Sequence, residues 1–363
     1  MTAQRRLFTP IGLIVAAFLI LAAPGLSGAG LSGAGLAGAG LAGASAQSLP
    51  DLNAEWPKTD LIDAGLRPAS LTRYGERDPM PPLNDPGFLP ANANGDVGDL
   101  VPVITVTIGD DTKIYPLPIV AAHGIVNDRL GGEPIAVSYC RVCAAAMVFG
   151  RRIDGETTTL GLTGLSREHN LILYDRATET WWQQINGNGL AGKHREDALT
   201  VIPSRLMSLQ KAVARHGKLT PVMTHSDYSR DRVLPKLDLA AVEGGNLAPG
   251  LTSGGRVLIV DNNAYRLADL REAGVASDGN LIFRHQSGRY GQPDAGGVSR
   301  EDLGDVSVYQ RLEGGELSER AYTINLGHVL NTVLDGQNIK LRDLKPVNDP
   351  YAPENRLPGD PSR

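Results

Sequence analysis

The two cysteines of this 363-residue chain lie together in Tyr139-Cys140-Arg141-Val142-Cys143. A Cys-x-x-Cys has three physical readings: a redox dithiol, a pair of soft-metal ligands, or a structural disulfide. A redox dithiol gains from standing at the N-terminus of a substantial helix, whose dipole lowers the first thiol's pKa. Here Ala144-Ala145-Ala146 can open a helix, but Met147-Val148-Phe149-Gly150 reads as strand. Arg141 between the thiols favours thiolate in any case. A closed structural zinc site takes four protein ligands, whereas two cysteines and one histidine suit an open zinc position or trigonal copper(I). The strand after Cys143 puts the metal first: copper or zinc held by Cys140, Cys143 and His123. A periplasmic thiol–disulfide oxidoreductase and a non-catalytic binding scaffold with a structural disulfide stand as alternatives.

His123 closes a short helical stretch seventeen residues before Cys140, where a hydrogen-bonded structural role competes with ligation. His169, in Ser166-Arg167-Glu168-His169-Asn170, is a second candidate on a polar loop before a strand. In the stretch from Tyr174 to Gln184, Asp175, Arg176 and Glu179 form a buried polar network or orient a ligand beside Trp182. Read instead as a hairpin whose tryptophans fill core, the same stretch needs no ligand. His194, His216, His225, His285 and His328 have no partner motif. The chain has no Gly-rich phosphate loop, serine-nucleophile elbow or His-Glu-x-x-His signature.

The elements that must position these residues repeat. Ile114-Tyr115-Pro116-Leu117, Gly124-Ile125 and Asp128 recur 150 positions later as Ala264-Tyr265-Arg266-Leu267, Gly274-Val275 and Asp278. Val148-Phe149-Gly150-Arg151 matches Val308-Tyr309-Gln310-Arg311 at an offset of 160, as a grown loop requires. Ile185-Asn186-Gly187 pairs more weakly with Leu334-Asp335-Gly336. Each copy reads as a strand hairpin carrying the tyrosine, a short helix, then further strands. Pro118 suits the first helical turn and Gly124 its end. Pro134 to Tyr139 is a buried-type strand, Asp154-Gly155 a tight turn, and Ser208 to His216 an amphipathic helix. The second copy has Ala273 opposite His123 and Phe283-Arg284-His285-Gln286 near the place of Cys140. It keeps turn and sheet residues but lacks the candidate ligands, which assigns the site to the first copy.

The expected fold is therefore β-rich α+β, two related mostly-β units from an internal duplication with few short helices. The 43 Gly and 24 Pro that punctuate short Val/Ile/Leu runs support that class. Residues 1–46 read as a signal peptide with a Gly/Ala-rich repeat: Arg5 and Arg6, an apolar run to Ala23, and Ala44-Ser45-Ala46 as a cleavage site. An uncleaved anchor is the competing reading. Residues 47–100 are a Pro-rich segment, 101–225 the first unit, 226–255 a linker, 256–345 the degenerate second unit and 346–363 a polar tail. Cleavage after residue 46 removes two arginines and no acids, so the formal charge moves from −5 to −7. A mildly acidic chain with scattered Lys and Arg has no nucleic-acid footprint, and no later apolar run is long enough to span a bilayer. The expected location is periplasmic or secreted, where thiols meet oxidants; no protein partner is legible.

At these motifs the chain resembles a large bacterial family catalogued as domain of unknown function 3179. The likeness rests on Ile125-Val126-Asn127-Asp128, Gly131-Gly132, Tyr139-Cys140 with Cys143, Gly164-Leu165, and Tyr174-Asp175-Arg176 through Trp182 and Gln184, over about residues 78–225. The resemblance implies an exported protein with a degenerate second half and no established activity. The family's usual Trp-His-Glu is here Ala122-His123-Gly124, and its Cys-Pro-Leu-Cys-Gly-Thr is here Cys140-Arg141-Val142-Cys143-Ala144-Ala145. Where it tends to have Tyr-Asn-Ser-Asp, this chain has Arg167-Glu168-His169-Asn170.

Overall fold

The computed structural model describes residues 70–94, 97–224, 251–252, 255–287, 289–294, 297–302, 304–327, 330 and 339–347, all within one compact unit. The signal peptide and its cleavage site, most of the linker, the end of the tail, His225 and His328 lie outside the described residues.

Short β-branched runs separated by turn residues dictate short strands. The first half supplies β1 (Leu71–Arg73), β2 (Leu83–Asn84), β3 (Gly87–Pro90), β4 (Pro102–Ile108), β5 (Asp111–Pro116), α1 (Leu117–His123), β6 (Ile125–Leu130), β7 (Glu133–Cys140) and β8 (Ala145–Gly150). It continues through β9 (Arg152–Ile153), β10 (Glu156–Thr157), β11 (Leu160–Arg167), β12 (Asn170–Asp175), β13 (Trp181–Gln183), β14 (Gly189–Ala191), β15 (Ser204–Ser208), α2 (Leu209–His216) and β16 (Pro221–Thr224). The second half adds β17 (Arg256–Val260), β18 (Asn263–Arg266), α3 (Leu267–Ala273), β19 (Val275–Asp278), β20 (Leu281–Gln286), β21 (Arg289–Asp294), β22 (Gly297–Asp302), β23 (Asp305–Arg311), β24 (Leu317–Glu319), β25 (Thr323–Leu326), β26 (Lys340–Leu341) and β27 (Lys345–Pro346).

The protein is mostly β, 52% strand, with three short helices among the described residues and its sheets in a five-blade propeller-like arrangement. The five blades have strand orders β2-β6-β7-β8, β1-β11-β12-β13-β14, β15-β4-β5-β16-β3, β25-β17-β18-β26 and β24-β23-β20-β19-β27. This corrects the α+β expectation: the helices make no layer of their own and serve as short connectors between hairpins. Radial arrangement of small sheets leaves each blade only short edges.

Local chemistry explains the connectors. Pro118 occupies the first turn of α1, where its missing N–H costs nothing, and Gly124 ends the helix at φ 71° with its N–H on the Val120 carbonyl. Asp154 and Gly155 both take positive φ, 53° and 81°, in the tight turn joining β9 to β10. Ser208 caps α2 by accepting the Lys211 N–H at 3.3 Å.

The same element order appears in both halves. β4, β5, α1, β6, β7 and β8 run as β17, β18, α3, β19, β20 and β23 do. Tyr115 donates its hydroxyl to Asp128 at 2.9 Å, and Tyr265 donates to Asp278 at 2.9 Å. Arg151 N–H reaches the Pro134 carbonyl at 3.0 Å, and Arg311 N–H that of Asn280 at 2.8 Å. The cation on each aspartate differs in origin: Lys113 of β5 on Asp128, Arg342 after β26 on Asp278. The largest apolar cluster draws on both halves, with Ile104, Tyr115 and Val137 beside Leu258, Tyr265 and Phe283. Arg205 of β15 crosses the same seam to Glu319 at 2.8 Å and to the Tyr309 hydroxyl at 2.7 Å.

Candidate functional site

Cys140 ends β7 and Cys143 sits in the turn leading to β8, with Cys140 opposite Ala145 in the ladder. The two sulfurs are joined in a disulfide, and both residues are wholly buried. The turn places Ala144 at φ 52°. In the second half the corresponding strands pair Gln286 with Asp305, and the hairpin β21–β22 fills the interval. One corner of the fold is thus closed by a disulfide in the first half and extended by a hairpin in the second.

Polar groups converge on the sulfurs. The Cys143 N–H donates to Cys140 Sγ at 3.2 Å, and Asn170 Nδ2 donates to Cys143 Sγ at 3.2 Å. The carbonyl oxygen of His169 lies 3.3 Å from Cys143 Sγ and 3.8 Å from Cys140 Sγ. That carbonyl comes from the β11–β12 hairpin, in which Arg167 pairs with Asn170 across two central residues. Those two, Glu168 and His169, both take positive φ, 50° and 67°. Such a turn favours Asn-Gly, so holding two ordinary side chains there costs backbone energy.

Behind the sulfurs lies a ring of buried amides. Asn170 Nδ2 also donates to Gln184 Oε1 at 3.0 Å, and its Oδ1 accepts from Gln183 Nε2 and from the Ile185 N–H. Gln184 Nε2 donates at 3.1 Å both to Ser138 Oγ and to the Ala145 carbonyl. Arg167 reaches this ring through a long contact, 3.5 Å, to Gln183 Oε1. Arg141 lies in the turn itself, and burial lowers its pKa against a raising influence from Tyr139.

The three-ligand metal centre does not form. With the thiols spent in a disulfide, no thiolate pair is available to copper or zinc. His123 directs Nδ1 to the Pro81 carbonyl at 2.8 Å. Among the described residues no group of three His, Cys, Asp or Glu side chains is arranged to hold a metal ion. His169 meets the sulfurs through its backbone carbonyl. The sequence reading failed because spacing counts candidate ligands and says nothing of where each ring points.

The remaining candidates assemble separately. Asp175 is buried and accepts from the Ala177 and Thr178 N–H groups, the Thr178 hydroxyl and Trp182 Nε1, the last at 3.1 Å. It thereby organises the turn before β13. Arg176 pairs with Asp78, which also accepts the Tyr174 hydroxyl at 2.6 Å. Glu179 pairs with Arg77 at 2.7 Å, and Arg77 lies 3.8 Å from the centre of the Tyr174 ring. The residues that sequence reasoning passed over are Asn170, Gln183 and Ser138. Adjacent glutamines inside Trp181-Trp182-Gln183-Gln184-Ile185 carried the signal, because paired amides in an apolar run point to a buried polar network.

Among the described residues no helix is long and apolar enough to cross a membrane. Neither the curated proteins nor the solved structures contain a match to this chain. Over residues 77–236, the span that holds the disulfide and its amide ring, the chain matches the model of the family described as Protein of unknown function (DUF3179).

Proposed function

We propose that Cys140 and Cys143 form a redox-active pair and that the chain exchanges disulfides with dithiols in an oxidising compartment. The observation that carries this reading is the His169 carbonyl, within reach of both sulfurs. A disulfide has no hydrogen to give it. Two thiols do, so the site holds an acceptor suited to the reduced pair. Asn170 and the Cys143 N–H supply donors suited to a thiolate on either sulfur. A bridge closing so short a loop also contributes little as a staple, about 2 kcal/mol against nearly 5 for a loop of a hundred residues.

The exchange balances as follows. One thiolate of an incoming dithiol attacks a sulfur of the pair, the Cys140–Cys143 bond breaks, and a mixed disulfide forms. The second thiolate of the reductant then displaces the protein thiolate. The reductant leaves as a disulfide, and two electrons and two protons remain on Cys140 and Cys143. The structural-disulfide scaffold is the second reading, favoured by the complete burial of both residues. Equilibration in glutathione buffers, followed by alkylation and mass measurement, separates the two. The redox reading expects a reversible two-electron couple more positive than about −300 mV, above the range of structural disulfides. A pair that stays oxidised below that potential overturns it.

We also infer that the two halves arose by internal duplication. The matching Tyr–Asp bonds and the common order of hairpin, helix and hairpin support this. On this reading the second half has exchanged the cysteine turn for the hairpin β21–β22. Export, expected from residues 1–46, supplies the oxidising setting that the redox reading needs.

A further inference from the structure

The complete burial of both cysteines leaves a redox pair without an approach, and the same corner of the fold contains the means to open one. Leu326, the last residue of β25, donates its N–H to the Cys143 carbonyl at 3.0 Å. Three residues earlier on that strand, the Thr323 hydroxyl donates to the Ala146 carbonyl at 3.3 Å. Both acceptors flank the disulfide turn on its C-terminal side. β25 is the edge strand of its blade, joined to β17 alone. Its ladder to β17 runs from Arg256–Leu326 to Ile259–Thr323, so the Leu326 N–H that faces Cys143 faces away from its own sheet. Cys140 and Cys143 moreover share an apolar cluster with Val257, Ile259 and Ala264 of the second half.

We propose that the second half gates the disulfide: β25 holds the 143–146 segment shut, and exchange proceeds from the state in which β25 has let go. This rests on the redox reading and gives the degenerate half a task at the site. Release at this edge breaks two hydrogen bonds and also exposes part of β25, whose four residues are all buried, so the open state is a minor one that exchange must wait for.

The test measures how fast the folded, full-length protein is reduced by excess dithiothreitol, with samples quenched by alkylation. Leu326→Pro removes the N–H that reaches Cys143 at an edge position where proline is tolerated. Leu326→Ala shortens the side chain but keeps the N–H, and Thr323→Val removes only the hydroxyl bond. Loss of one such bond is expected to speed reduction about five- to tenfold for Leu326→Pro, and for Thr323→Val by about threefold. Leu326→Ala should stay nearer wild type than Leu326→Pro. Equal rates in wild type and the folded variants overturn the gate while leaving the redox reading in place. A disulfide that resists the reductant in every folded variant overturns the redox reading itself. Should Leu326→Pro fail to fold, Thr323→Val decides alone, and no acceleration there sinks the gate.

Discussion

Asn170 donates from Nδ2 to Cys143 Sγ at 3.2 Å, and the same side chain uses all of its hydrogen-bonding capacity. Its second N–H goes to Gln184 Oε1, and its carbonyl oxygen takes Gln183 Nε2 and the Ile185 N–H. An amide has two donors and two lone pairs, and all four are spent in a wholly buried place. Only an amide of this reach satisfies both the sulfur and the ring of glutamines behind it.

Asn170→Asp is therefore expected to be costly despite its near-identical shape. A carboxylate has no donor for Cys143 Sγ or Gln184 Oε1 and brings acceptors against acceptors. The expected loss is about 3 kcal/mol of unfolding free energy at neutral pH, the scale for buried polar groups left unpaired. Burial among acceptors raises the new carboxyl's pKa above its unfolded value, so the deficit should shrink as the pH falls and the group protonates. Urea unfolding at pH 7 and pH 5 measures both effects. A loss below about 1 kcal/mol would mean that the ring is less closely coupled than its geometry indicates.

The β11–β12 turn offers a gain instead. Glu168 and His169 hold left-handed conformations that Asn-Gly adopts without penalty. The double variant Glu168→Asn/His169→Gly should stabilise the fold by about 1 kcal/mol. It keeps the residue 169 carbonyl, so the redox potential of the disulfide should change little. Chemical denaturation and glutathione equilibration on the same sample check the two halves of this expectation. A large shift in potential would show that the histidine ring, and not its carbonyl, sets the redox balance.

How much of this was legible in the sequence follows from what each signal encodes. Turn chemistry was readable because it is local: Pro118 and Gly124 bound α1, Asp154-Gly155 makes its turn, and Ser208 starts α2. The spacing of Tyr115 and Asp128, repeated at Tyr265 and Asp278, was visible as a pattern, but the Tyr–Asp hydrogen bond that each pair makes was not read from it. The blade arrangement was not legible, since alternation within short strands leaves open which sheets lie side by side. The site was half legible. Cys140 and Cys143 mark it, but the groups that surround the sulfurs are amides and a backbone carbonyl. Such groups carry no motif, and the place of His123 before Cys140, with Ala273 opposite it in the second copy, does not fix where its ring points.

Arg205 fastens β15 to the second half from a buried position. Burial would lower its pKa, but Glu319, Tyr309, Tyr322 and Asp305 hold it above the ordinary value. Arg205→Leu would leave Asp305, itself buried and 3.4 Å from Arg215, with a single cationic partner. Removing one side of a buried ion pair costs about 3–5 kcal/mol, and that loss is expected in urea unfolding. If the seam is what joins the halves, the loss should appear as earlier exposure of second-half amides in hydrogen exchange. A uniform loss across both halves would indicate one indivisible folding unit.

Two histidines should tilt the pH dependence of stability in opposite directions. His194 lies between Asp197, 2.8 Å from Nδ1, and Asp154, 3.1 Å from Nε2, with its ring stacked on Trp182. Asp197 raises its pKa most; burial opposes this, Asp154 adds to it, and Lys193 weakens it. A raised folded pKa stabilises the protein fully below the unfolded value of about 6.5 and ceases to do so as the pH rises through the folded one. His216, at the end of α2, is the reverse case. Burial, then Arg215 and Arg205, lower it to about 4, against a weaker raising influence from Asp305. Its unfolded form takes up a proton near pH 6.5 while the folded form does not, so stability falls as the pH drops from about 6.5 toward 4. Urea unfolding at pH 5, 6.5 and 8.5 should then show two separable slopes. His194→Gln should flatten the decline between pH 6.5 and 8.5, and His216→Gln the decline between pH 6.5 and 5. Unchanged slopes in His194→Gln would mean that the two carboxylates do not grip the ring in solution, and a retained acid slope in His216→Gln would move that effect to other groups.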